Sequence, residues 1–232
     1  MDTIILDKIE FNPSTPQVYK KLRIKKGSRN AELVHDLIEQ AKLIGHPKAI
    51  YTISGIDDKD EKGIVLDGYR IDSRVMRVNL SDVNRVFPYI ATSGRELYEW
   101  RQTKDDLLEN YFANEINQMA LRTAGNTLLD HLKKTYQLGR TSSMNPGSLK
   151  DWPLSGQQIL FSLLGNPEDT IGVQLLESML MVPNQTVSGI RFVSESDFSN
   201  CELCPRDNCS HRRAPYDEDL FQRKYQSGSI KL

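Results

Sequence analysis

The sequence predicts an α+β domain with a C-terminal appendage. Three features lead to that reading. Strand-like stretches stand near the start of the chain and again after residue 170. A long helical region lies between them. From Phe198 on, the chain has few apolar residues, much charge and all three cysteines. With no internal repeat and no long linker, such a mixture reads as one domain, residues 1–197, followed by a tail, residues 198–232. A chain of 232 residues is long enough to bury a core.

The elements follow in order. "TIILDKIEF" reads as a first strand, and "NPSTPQVYKKLRIKKGSRN" as a polar, Pro-containing connection. In "AELVHDLIEQAKLIG", Leu33, Leu37, Ala41 and Ile44 recur at helical spacing, with Gly45 and Pro47 as stop signals. "KAIYTISGI" and "RVMRVNL" read as strands separated by a charged turn. "VFPYIATSGRELYEW" passes from strand to helix, with Ser93 and Glu96 at capping-box spacing. A helical region from about Lys104 to Tyr136 follows. Its apolar stripe reads as core, Gly125 is a place where it can split, and His131 is a surface or core polar residue. Alternation in "TIGVQLLES" and "TVSGIRFV" predicts two further strands.

Composition excludes several function classes. With 38% hydrophobic and 26% charged residues the chain is an ordinary globular one, and its net charge of −1 supplies no basic field for nucleic acid or anionic membrane. The first residues lack the basic start and apolar run of a signal peptide, and no stretch approaches 18 apolar residues. The expected location is the cytoplasm.

"SMNPGSLKDWPLSGQQILFSLLG" is the first candidate site. Pro146 fixes its own φ and pushes Asn145 toward extended geometry, while Gly147 can take the positive φ of a type II turn. Pro153 restricts Trp152. Ser155 and Gln158 have capping-box spacing, and Gly165 stands where a helix would stop. Spacing alone leaves two readings, a loop that holds a small ligand or a tight connection into a helix.

These residues, with the downstream "IGVQLLESMLMVPNQTVSGIRF", resemble the activation (reactivation) domain of cobalamin-dependent methionine synthase. In that family a Pro-Gly loop binds S-adenosylmethionine, and a later strand-turn-strand carries E-S-x-x-M-x-P followed by V-S-G. Here those positions are Glu177, Ser178, Met181, Pro183, Val187, Ser188 and Gly189. The resemblance covers about a third of the chain. It implies an antiparallel twisted sheet with flanking helices, and a stand-alone protein that supports reductive reactivation of a corrinoid enzyme. The implied partner is a corrinoid-binding methyltransferase subunit, or a methionine synthase lacking its own activation domain, with a separate electron donor protein. The cobalamin travels on the partner, and no acid-base catalytic residue is implied.

The sequence departs from the family's usual R-x-x-P-G-Y loop. Aligned on Pro146 and Gly147, Ser143 takes the arginine position and Ser148 the tyrosine position. A charge-assisted bond contributes about 1.5 to 3 kcal/mol, so loss of the arginine alone lowers affinity roughly ten- to a hundredfold. Arg140 and Arg191 are candidate replacements. Glu177 can bond a ligand amine or hydroxyl, orient the loop, or only satisfy its own turn, and Ser178 reads as structural. The ligand candidates are therefore Arg140, Ser143, Asn145, Pro146, Gly147, Ser148, Glu177, Ser178 and Arg191, with Trp152 packing under the loop.

In "CELCPRDNCSHRR", Cys201, Cys204, Cys209 and His211 have spacing that suits zinc, and three thiolates can hold an iron-sulfur cluster. Reactive thiols and incidental clustering are the alternatives. A cluster would make the tail an electron-entry point. The rival to the reactivation reading is a metal- or cluster-containing adaptor for a corrinoid protein, without S-adenosylmethionine.

Overall fold

The structure is a computed structural model that describes residues 2–149, 151–194, 198–209 and 212–226. The chain opens with strand β1 (Ile4–Leu6) and helices α1 (Thr15–Leu22) and α2 (Arg29–Ile44). Strands β2 (Lys48–Tyr51), β3 (Ser54–Lys59), β4 (Ile64–Leu66) and β5 (Tyr69–Ile71) precede helix α3 (Arg74–Asn79). Strand β6 (Arg85–Thr92) and helices α4 (Arg95–Gln102) and α5 (Leu107–Tyr136) come next. Strand β7 (Thr141–Met144), helices α6 (Gln157–Leu164) and α7 (Pro167–Ile171), the hairpin β8 (Gln174–Leu175) and β9 (Met181–Val182), and strand β10 (Thr186–Val193) complete the regular elements. Single helical turns stand at Asn200–Leu203 and Phe221–Tyr225.

Strand β6 is the axis of an antiparallel sheet. β2 pairs one side of it, with Ile50 opposite Ile90, and β10 pairs the other, from Thr186 opposite Thr92 to Arg191 opposite Phe87. β7 lies outside β10, β1 outside β2, and β3 carries β4 and β5 off the far end. Both faces are covered, so β6 is buried from Val86 to Thr92. Phe87, Tyr89 and Ala91 face Ala124, Leu128 and Leu132 of α5, while Ile90 meets Leu164 and Ile171 on the other side. The period of two along β6 thus feeds two separate cores.

Helix α5 starts where Asp106 accepts from the N–H groups of Leu108 and Glu109, at 3.0 and 2.9 Å. It runs unbroken through Gly125, because Ile116, Ala120, Ala124, Leu128 and Leu132 continue one buried stripe across that residue. His131 is half-buried with its Nε2 3.0 Å from the Tyr51 hydroxyl. Among the described residues no helix is long and apolar enough to cross a membrane.

Several elements differ from the sequence-based expectation. The stretch read as the strand "RVMRVNL" is helix α3, because the Ser73 hydroxyl accepts from Met76 N–H and starts it. The first connection contains α1, whose Val18 and Leu22 are buried. Ser93 does not cap α4. Its N–H pairs with the Gln185 carbonyl at 3.0 Å, so the sheet holds the residue and Gly94 takes the cap position. Glu96 lies 3.5 Å from Lys48 instead. Ser155 is inside a 3₁₀ turn, Leu154–Gly156, and so cannot cap α6, which Gly165 ends with φ +77°.

The C-terminal segment does not lie outside the core. Phe198 and Tyr225 are buried with Met144, Trp152, Ile190 and Phe192, and Leu203, Leu220 and Phe221 pack beside them. Among the described residues, its large apolar side chains other than Tyr216 are turned at least partly inward. Replacement of Tyr225, which is 1% exposed, with Ala is expected to cost about 3 to 5 kcal/mol in chemical denaturation; a cost below about 1 kcal/mol would mean that the segment is not part of the core.

Candidate functional site

The site is built from the end of β7 outward. Ser148 N–H bonds the Asn145 carbonyl at 3.1 Å, Pro146 is buried between them, and Gly147 has φ +77°. That is the type II turn for which Pro and Gly at the two central positions are suited. Gly147 N–H then bonds the Trp152 carbonyl at 2.9 Å, and Trp152 N–H bonds that of Leu149 at 3.2 Å. Asp151 ties the loop to the start of α3 by accepting from Val75 N–H at 2.9 Å. Trp152 is 2% exposed and fills the space beneath. The loop is therefore fixed by backbone geometry and by a buried indole.

Asn145 crosses from this turn onto the sheet. Its Nδ2 donates to the Ser188 carbonyl at 2.7 Å and to the Tyr89 hydroxyl at 3.1 Å, and the Asn200 side chain bonds its Oδ1 at 2.9 Å. The crossing requires Gly189. A Cβ there would stand 2.4 Å from Asn145 Nδ2 and 2.6 Å from the Met144 carbonyl oxygen, distances no side chain could relieve without moving β7.

Arg191 stands directly opposite Ser143 in the β7 to β10 pairing. Its guanidinium lies 5.7 Å from the centre of the Tyr89 ring and donates to the Thr141 hydroxyl at 3.2 Å. Its Nε is buried without a hydrogen-bond partner among the described residues. Arg191, Thr141, Ser142 and Ser143 form one side of a cleft of about 420 Å³. Phe198, Ser199, Glu202, Arg213 and Ala214 form the other. A cleft with a fixed, incompletely bonded guanidinium suits a carboxylate or another small anion.

A solved structure shares this architecture: the crystal structure of the MetH reactivation domain bound to AdoHcy. The TM-score is 0.61 at 12% sequence identity, over 86% of this chain and 81% of that one. The chain has the fold of a reactivation domain. No protein-family model matches the sequence, and no curated protein does. The likeness is thus one of fold, with the antiparallel sheet and flanking helices in common.

On this reactivation-domain fold the predicted ligand residues separate. Ser143, Asn145, Pro146, Gly147, Ser148 and Arg191 gather around the β7 to β10 edge. Arg140 is exposed just before β7, where its carbonyl accepts from Ser194 N–H at 3.1 Å. Glu177 and Ser178 are exposed in the turn of the β8–β9 hairpin, which leads into the opposite end of β10. Sequence reasoning missed Tyr89, Thr141, Asn200 and Glu202. No local motif marks them, because strand pairing and the return of the C-terminal segment bring them in.

The cysteines are three free, partly exposed thiols. Among the described residues no group of three or more His, Cys, Asp or Glu is arranged to hold a metal, and His211 lies outside those residues. Cys201 Sγ accepts from Arg213 N–H at 3.4 Å. Burial pushes this thiol up, but bonds from Arg213, Ser199 and Ala214 outweigh it and hold the group below its ordinary value.

Two substitutions separate close approach from hydrogen bonding at this site. Gly189→Ala is expected to destabilise by about 1 to 3 kcal/mol through overpacking. Asn145→Ala, which leaves buried acceptors unpaired, is expected to cost about 1 to 3 kcal/mol. Because the two residues are in contact, the double variant should lose measurably less than the sum in urea denaturation. Additive losses would show that they act apart.

Proposed function

We propose that this protein binds an S-adenosylmethionine-type ligand at the β7 to β10 edge and serves in the reductive reactivation of a corrinoid-carrying methyltransferase or methionine synthase. The observation that carries this reading is the placement of Arg191 opposite Ser143. Residues paired across an antiparallel ladder have Cβ atoms about 4.5 to 5.5 Å apart. A guanidinium on β10 can therefore reach the volume that the resembled family's loop arginine would use. The reactivation domain of similar fold was solved with AdoHcy, a ligand with the same amino-acid and nucleoside parts.

Bound S-adenosylmethionine would supply an electrophilic methyl group. The chain's own work is positioning. Arg191, steadied by Tyr89 and Thr141, holds the ligand carboxylate, and the turn at Pro146 and Gly147 presents a backbone that does not need to reorganise on binding. The partner brings the corrinoid and a donor protein brings the electron. Arg140, exposed and upstream, is not needed for this arrangement.

Calorimetric titration with S-adenosylmethionine under anaerobic conditions tests the reading. Saturable binding is expected, weakened about ten- to a hundredfold by Arg191→Ala and left within about twofold by Arg140→Ala. Absence of heat at millimolar ligand would overturn the methyl-donor reading and leave an adaptor without that ligand.

A further inference from the structure

The second wall of the cleft belongs to the C-terminal segment, and its charges are specific. Among the described residues, the cleft is lined by two cations, Arg191 and Arg213, and one anion, Glu202. The two arginines come from different parts of the chain, one from β10 and one from the returning segment. We infer that the C-terminal segment supplies Arg213 and Glu202 as the groups that recognise the amino-acid end of the ligand. The ligand class is then an α-amino acid zwitterion, with its carboxylate between the arginines and its ammonium toward Glu202. This rests on the proposed methyl-donor reading and adds to it residues outside the loop.

Both groups are held in place by the segment's own bonds. Glu202 Oε2 accepts from Ser199 N–H at 2.9 Å while the Ser199 hydroxyl accepts from Cys201 N–H at 3.4 Å, a reciprocal cap on the turn Asn200–Leu203. A carboxylate has about four acceptor positions, so this bond leaves capacity for an ammonium. Arg213 is exposed, but its N–H bonds the Cys201 sulfur at 3.4 Å, which ties the residue's backbone to the same turn. Asn200 of that turn bonds Asn145, so the wall and the Pro-Gly loop are joined.

The same charges argue against other anions. A phosphate or dicarboxylate would gain from two arginines but would meet Glu202, and like charges facing each other across a cleft are disfavoured. A neutral nucleoside would use none of the three. A zwitterion satisfies all of them.

The test is titration of the full-length protein with S-adenosylmethionine and with 5′-methylthioadenosine, which keeps the nucleoside and sulfur but lacks the amino-acid end. Wild type is expected to bind the first at least about tenfold more tightly, the ratio that one charged contact provides. Arg213→Gln and Glu202→Gln should each weaken S-adenosylmethionine about fivefold or more and leave 5′-methylthioadenosine unchanged. Glutamine at 202 keeps the acceptor for the cap, so loss of binding there would not report a lost turn. Arg206→Gln, on the exposed side of the segment, is the control and should bind as wild type. If wild type binds and neither Arg213→Gln nor Glu202→Gln matters, the segment has no part in recognition and this inference falls while the methyl-donor reading stands. If wild type binds neither compound, both fall together.

Discussion

The structure around the site depends on one close approach. Because Gly189 has no side chain, the Asn145 amide can lie across β10 and reach both the Ser188 carbonyl and the Tyr89 hydroxyl. This contact sets where the Pro-Gly turn begins relative to the sheet. It also sets where the C-terminal segment attaches, since Asn200 bonds the oxygen of the same amide. A half-buried amide whose partners are buried is rigid because each alternative position leaves a polar group unpaired. The V-S-G signature therefore has a steric meaning at its glycine and a hydrogen-bonding meaning at its serine carbonyl.

The C-terminal segment solves a second problem created by the same geometry. β7 is the outer strand beyond β10, and an open strand edge is a site for unwanted pairing. The segment passes alongside, and polar contacts add to its apolar packing. Arg212 donates to the carbonyls of Cys201 and Cys204 at 3.0 and 3.2 Å and to those of Arg206 and Ala214, which fixes the bend between the cysteines. Lys224 and the Tyr225 hydroxyl bond Asn79 Oδ1, and the lysine ammonium lies within 6 Å of the Phe198 and Tyr225 ring centres. Partial burial holds this lysine below its ordinary pKa. The charge that gave the segment the look of a solvated tail is thus part of what packs it.

What was legible in the sequence was what neighbouring residues decide. Pro146 and Gly147 impose a type II turn by their own φ values, and the four-residue stripe of α2 identifies a helix wherever it packs. Where a local pattern competed with a distant partner, the partner decided. Ser93 and Glu96 have ideal capping spacing, yet pairing with the distant Gln185 keeps Ser93 on the sheet. "RVMRVNL" alternates like a strand, but the Ser73 cap and the burial of Val75, Met76 and Leu80 make it a helical turn and a half. The candidate site was half legible for the same reason. Its loop could be read from the chain, whereas the cross-strand position of Arg191 and the return of Glu202 and Arg213 depend on contacts between residues far apart in sequence.

The placement of Arg191 on β10 opposite Ser143 has a physical logic. A guanidinium on a loop must be held by the loop, through its own hydrogen bonds and at a cost in side-chain entropy. Arg191 instead extends from β10, next to the central strand. It stacks on a ring from β6 and bonds a hydroxyl from β7, so three strands fix its direction. Held in this way, the charge is directed by the sheet, while the turn is shaped by its own backbone. The turn at Pro146 and Gly147 is itself fixed by its own backbone bonds and by buried Trp152 beneath it. The loop thus owes its shape to local backbone geometry, and Arg191 owes its direction to strand pairing.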